Sequence, residues 1–139
     1  MVMVSRYHRA VFWTCIVAVF SLLHAAITVK SVSFDDMKIT GLEGKVLPIE
    51  RCWGAIGIDP DDVVYVVFGT NRQGGVIEDC SVFMWDTKTG ERKALGTLRV
   101  KAKEQGTLAG NEPLPKGHTP MPYYNGKMFF GTQNFHEAG

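Results

Sequence analysis

Apolar and polar positions follow three different patterns along this chain. Positions 11–23 form one apolar stretch, positions 52–98 alternate short apolar runs with turn-forming residues, and positions 99–117 have no periodic apolar face. The clearest run is Val63-Val64-Tyr65-Val66-Val67-Phe68. Its residues are mostly β-branched or aromatic and are bounded by turn signals, which predicts a strand covered on both faces. Before it lies Asp59-Pro60-Asp61-Asp62, a turn in which proline presets one dihedral and the aspartates bond the local backbone. After it, Cys80-Ser81-Val82-Phe83-Met84-Trp85 and a partner at 91–98 are joined by Asp86-Thr87-Lys88-Thr89-Gly90. That joint predicts a type I turn closed by a glycine able to take positive φ. Strands at 52–58, 63–70, 80–85 and 91–98 therefore predict one antiparallel meander 47 residues long.

The flanks are less regular. Segments 29–34 and 38–49 mix apolar residues with Gly41, Gly44 and Pro48, which predicts short, irregular strands at a sheet edge. Residues 71–75 read as a polar loop. Gly106, Gly110, Pro113, Pro115 and Gly117 make 99–117 an inserted loop. No capped helix of 3.6-residue period is expected outside the first 26 residues. Beyond the loop, Asn125-Gly126 is a strong hairpin signal, because both residues tolerate positive φ. The strand that follows echoes the earlier one: Gly69-Thr70-Asn71 ends the first apolar run and Gly131-Thr132-Gln133 ends the second, 62 residues later. A repeated strand with the same terminator predicts a repeat architecture whose units bury their faces against neighbours. The chain carries too few units to close such an array.

Arg6, His8 and Arg9 precede the 13-residue apolar stretch, and Ala25-Ala26 follow it. This is the pattern of a secretory signal peptide, and the stretch falls short of the roughly 20 residues that span a bilayer. Cleavage near Ala25 or Ala26 leaves 113 residues, enough for one small domain, with one net negative charge. Such a balance gives no electrostatic reason to bind nucleic acid or an anionic membrane surface. Export to the periplasm or the cell exterior is expected, with no membrane association after cleavage. Cys52 and Cys80 survive processing, each at the start of a predicted strand. In an oxidising compartment they either pair as a disulfide or stay as two buried thiols.

Asp-Pro-Asp-Asp before the second strand, Gly-Thr-Asn after it and Asp-Thr-Lys-Thr-Gly between the last two resemble exported bacterial β-propellers of the TolB-like or WD40-like kind, with six to eight blades. Gly117-His118-Thr119-Pro120 followed by Asn125-Gly126-Lys127-Met128-Phe129-Phe130-Gly131-Thr132 is similar to a motif of the same repeats. The resemblance spans about 85 residues and implies an all-β chain: a signal-peptide helix at 1–26, an irregular leading segment at 27–50, a first four-stranded blade at 51–98, an inserted loop at 99–117 and a partial second blade at 118–139. It specifies architecture more than function, since propellers serve as enzymes and as pure scaffolds.

Candidate chemistry gathers where strands meet their loops. Asn71 and Arg72 follow the first echoed strand, where an arginine suits a carboxylate on an acidic sugar. Gln133 and Asn134 follow the second, completing the ligand-binding candidates. His118 and His136 flank that strand, and neutral imidazole is a common metal ligand. Similarity to propeller-type polysaccharide lyases implies that His118, Gln133 and His136 would help hold a divalent metal in a complete propeller. Asp59, Asp61 and Asp62 lack calcium-loop spacing and read as turn formers. Trp53, Trp85, Tyr123 and Tyr124 offer either carbohydrate stacking or core packing. Gly-x-Ser-x-Gly, phosphate-loop and His-Glu-x-x-His motifs do not occur in the sequence.

These features give three functional readings. The first is a fragment of a secreted propeller serving as a ligand-binding or protein-binding scaffold. The second is part of a metal-assisted carbohydrate lyase of the polyuronide type. The third is a small β-domain that self-associates through open edges. The expected partners are the remaining blades, another copy of the chain, carbohydrate or protein.

Overall fold

The structure, a computed structural model, describes residues 30–70 and 77–133. All the elements that follow belong to one compact unit that begins at Ser33. The signal-peptide stretch, Asn71, Arg72, Asn134 and His136 lie outside the described residues.

Four strands run as an antiparallel meander in the order β1 (Ile56–Ile58), β2 (Val63–Gly69), β3 (Cys80–Asp86) and β4 (Arg92–Thr97). The expected meander is therefore present, with a shorter first strand. Gly54 takes φ 111° and its carbonyl accepts the Ile56 amide at 2.9 Å, so a tight local turn breaks the extended backbone ahead of Ala55. The turns form as their chemistry dictates. Asp59 Oδ1 accepts the amides of Asp61 and Val63 at 2.9 and 3.0 Å, and Asp62 takes φ 68°. Asp86 Oδ1 accepts the amides of Lys88 and Thr89, and Gly90 takes φ 80°.

Strand β2 is covered on both faces, as its continuous apolar run predicts. On one face Val66 and Phe83 pack with Phe34, Ile39 and Leu47 from the leading segment. Phe34, Phe68 and Phe83 meet there with ring centroids 5.1 to 6.0 Å apart, a spacing that favours tilted aromatic pairs. On the other face Val67, Cys80 and Ala55 pack with Met121, and Met128 and Phe130 border them. The leading segment is thus less a sheet edge than a lid. It makes a single bridge of its own, Thr40 to Val46.

Two expectations need correction. Residues 99–117 are not all loop, because Leu98–Glu104 forms a helix, α1. Thr97 caps it by accepting the Val100 amide, and Gly106 takes φ 69° just beyond its end. The echoed segment also does not fold as a second central strand. Its residues fall into β7 (Lys127–Met128), paired with β6 (Tyr123–Tyr124), and β8 (Thr132–Gln133), paired with β5 (Lys116–Gly117). Val63–Gly69 has a strand on each side, whereas the echo has only short partners. Similar sequences thus reach different structures, because pairing and burial decide strand length.

Candidate binding site

Among the described residues, an apolar groove, a smaller pocket and a cluster about Trp53 all involve the segment from Lys116 to Gly131. Asn125 and Gly126 take φ 49° and 79°, so the predicted hairpin turn forms between β6 and β7. Its base is closed by the Phe129 amide donating to the Pro122 carbonyl at 3.1 Å. Further out, the His118 amide donates to the Gly131 carbonyl at 2.9 Å, and the Gly131 amide donates to Thr119 Oγ1 at 2.7 Å.

The segment lies tightly on β1. The Met121 amide donates to the Ile56 carbonyl at 3.1 Å, and a Cβ added at Gly57 would stand 2.1 Å from the Met121 carbonyl oxygen. Only glycine permits this approach. Beside the contact runs an apolar groove of about 730 Å³, bordered by Ile56, Ile58, Pro120, Pro122, Tyr123 and Phe129. Ile56, Ile58 and Phe129 keep 52%, 53% and 49% of their surfaces exposed, an unusual concentration for such residues on one edge.

A second cluster surrounds Trp53. The His118 ring stacks on the indole with centroids 6.2 Å apart and planes 19° from parallel. Lys116 Nζ lies 4.2 Å from the indole centroid, and the Arg51 guanidinium carbon lies 5.9 Å from it. Both distances fall in the cation–π range. His118 is exposed, and its ring shares the indole face with the Lys116 ammonium. Gln133 sits in β8, directly opposite Lys116 of β5. The structure thus brings the His118 backbone close to the strand that carries Gln133. The third proposed metal ligand, His136, lies outside the described residues, as do Asn71, Arg72 and Asn134. Among the described residues, no three His, Cys, Asp or Glu side chains gather closely enough to hold a metal ion.

Cys52 and Cys80 stand as separate thiols, the first exposed and the second buried. Burial, reinforced by the neighbouring Asp79 carboxylate, pushes the Cys80 thiol up to about 12. Trp85 borders the phenylalanine cluster of the core, while Tyr124 keeps 73% of its surface exposed. Sequence reasoning gave no role to Ile56, Ile58 or Phe129. The signal available for the first two was an apolar alternation about Gly57 next to a strand already covered on both faces. Among the described residues, no helix is long and apolar enough to cross a membrane. No family model matches the chain, and neither curated proteins nor solved structures give a significant match.

Proposed function

We propose that this chain is a binding module of an exported protein: a blade-like antiparallel sheet, capped on both faces by its own flanking segments, that holds an extended apolar segment of a partner protein along β1. The observation that carries this reading is the groove of about 730 Å³ with half-exposed Ile56, Ile58 and Phe129 on its walls. Covering such side chains releases about 25 cal/mol per Å² of apolar surface. Pro120 and Pro122 on the rim have no amide to leave unsatisfied when a partner excludes water. The meander and its two turns, each held by one aspartate side chain, support a propeller-type blade as the origin of the sheet. A blade standing without neighbours needs the cover that the leading segment and the 116–131 segment supply. Arg6 and Arg9 ahead of the apolar stretch 11–23 support export.

The test is selection of displayed random peptides on the immobilised chain. Apolar peptides are expected to enrich and to lose binding to Phe129→Asp and to Ile56→Asp, with the circular dichroism of both variants unchanged. No enrichment, or peptides that bind both variants as well as the parent, would reject the reading.

A further inference from the structure

Behind the same hairpin, and separate from the groove in its chemistry, lies a smaller pocket of about 330 Å³. Its walls include Asp59, Tyr65, Met121, Tyr123, Met128 and Phe130, and no lysine, arginine or histidine lines it among the described residues. We propose that this pocket is a binding site for a small organic cation, of the alkylammonium or trimethylammonium class.

The charge argument comes first. Among the described residues Asp59 is the one carboxylate in the lining, and its turn holds it in place. Its Oδ1 accepts the amides of Asp61 and Val63 at 2.9 and 3.0 Å, which fixes the carboxylate in its turn. Its Oδ2 accepts a long bond of 3.2 Å from the hydroxyl of Tyr65, itself a lining residue, and so keeps acceptor capacity. Burial and the adjacent Asp59 push the Tyr65 phenol up, so Tyr65 remains a neutral donor at physiological pH and adds no second charge.

The wall argument agrees with it. Two tyrosines and a phenylalanine line the pocket, aromatic rings attract cations, and the two methionine thioethers are polarisable and apolar. An alkylated ammonium suits such walls because its charge is spread over methyl groups and its hydration shell is weak. An anion would meet the Asp59 carboxylate, and a bare metal ion would find one carboxylate among apolar walls. The volume lies near the lower end for ligand pockets and fits a headgroup rather than a large molecule.

The proposal goes beyond the groove reading, although Met121, Tyr123 and Phe130 wall both cavities. The test titrates the full chain with choline and with its neutral isostere 3,3-dimethylbutan-1-ol at constant ionic strength, read by calorimetry and by the methyl resonances of Met121 and Met128. Choline is expected to bind at least about tenfold more tightly than the isostere. Asp59→Asn keeps an acceptor for the turn and is expected to remove that preference. Tyr123→Ala alters an exposed residue and is expected to weaken choline severalfold. Ile56→Asp, which lies outside the pocket lining, should leave choline binding intact even if it abolishes the groove. Equal binding of the two probes, no binding of either, or unchanged choline affinity in both Asp59→Asn and Tyr123→Ala would overturn the proposal.

Discussion

The Arg99 guanidinium and the Glu43 carboxylate form an ion pair across 56 positions of chain, and the arginine side chain is wholly shielded from water while the glutamate keeps 28% of its surface exposed. Through this pair the leading segment, which lids one face of the sheet, is tied to the first turn of α1. Arg99 Nε also donates to the Glu112 carbonyl at 3.0 Å, and its backbone amide donates to Asp79 Oδ1 at 3.0 Å. One guanidinium nitrogen of Arg99 and Asp79 Oδ2 are left without a hydrogen-bond partner. A buried cation whose hydrogen bonding is already incomplete depends strongly on its remaining carboxylate.

Glu43→Ala should therefore destabilise the fold by about 2 kcal/mol, below the roughly 3–5 kcal/mol of a fully buried pair because Glu43 reaches solvent. The exposed bidentate pair of Arg92 with Asp36, at 2.7 and 2.9 Å, serves as the comparison, and Asp36→Ala should cost clearly less. Urea denaturation of both variants measures this. A smaller loss for Glu43→Ala than for Asp36→Ala would show that the buried arginine does not need its partner.

Acid stability follows from four carboxylates that act in two directions. Burial pushes the Glu43 carboxyl up, but the Arg99 hydrogen bond and charge outweigh it and hold the group below the usual range. The Arg92 hydrogen bond lowers Asp36, and the backbone amides of Thr89 and Lys88 lower Asp86. The stability from these three is in place above their unfolded values of about 4 and is lost as pH falls through the lower folded ones. Asp79 has the opposite sign. Burial raises it against hydrogen bonds from Thr97 and the amides of Arg99 and Cys80, so its contribution is full below about pH 4 and is lost as pH rises through its folded value. Asp79→Asn should therefore gain on the parent as pH climbs from 3 to 7. Paired urea midpoints across that range check it, and a constant offset or the reverse trend would show that burial does not dominate at Asp79.

The parts of the fold legible in the sequence were those set by local chemistry. Asp59 to Asp62, Asp86 to Gly90 and Asn125-Gly126 each carry side chains or glycines whose backbone preferences make the turn by themselves, and β2 announces its cover through an unbroken apolar run. Helix α1 escaped because its seven residues, Leu98–Glu104, are too few to show a period. Its readable signals were Thr97 at one end and Gly106 at the other. The echoed strand misled because identical Gly-Thr endings say nothing about neighbours. Trp53 and His118, or Asp59 and Met128, are brought together by chain reversals that no spacing reveals.

The close approach of Met121 to β1 gives a steric prediction. A Cβ at Gly57 meets a backbone carbonyl at 2.1 Å, whereas a Cβ at Gly117 meets the side chains of Ala55 and Val67 at 2.7 and 2.9 Å. Side chains in a core can shift at a cost of about 1–3 kcal/mol, but the Met121 carbonyl moves only if the segment that borders the groove moves with it. Gly57→Ala should therefore lower the melting temperature more than Gly117→Ala and also weaken any groove ligand. Gly90→Ala is the control: φ is 80° and the space is open, so only backbone strain of about 1–2 kcal/mol applies. Thermal unfolding of the three variants should give that order, and a Gly57→Ala protein as stable as the parent would mean that the segment does not rest on β1.

The two described cysteines should differ sharply in reactivity. The thiolate is the reacting species. Cys80 is fully buried, and its thiol is pushed up to about 12 by burial and by Asp79. Cys52 is exposed, and its Sγ makes only a 3.9 Å contact with the Ala55 carbonyl. Iodoacetamide at pH 8 should label Cys52 in the native protein and leave Cys80 unmodified until denaturant is added. Peptide mapping after alkylation reads both sites in one experiment. Native labelling of Cys80 at the rate of Cys52 would show that the Val67 face of the sheet opens readily, and a disulfide linking the two would contradict the separation of their thiols on which the core packing of Cys80 depends.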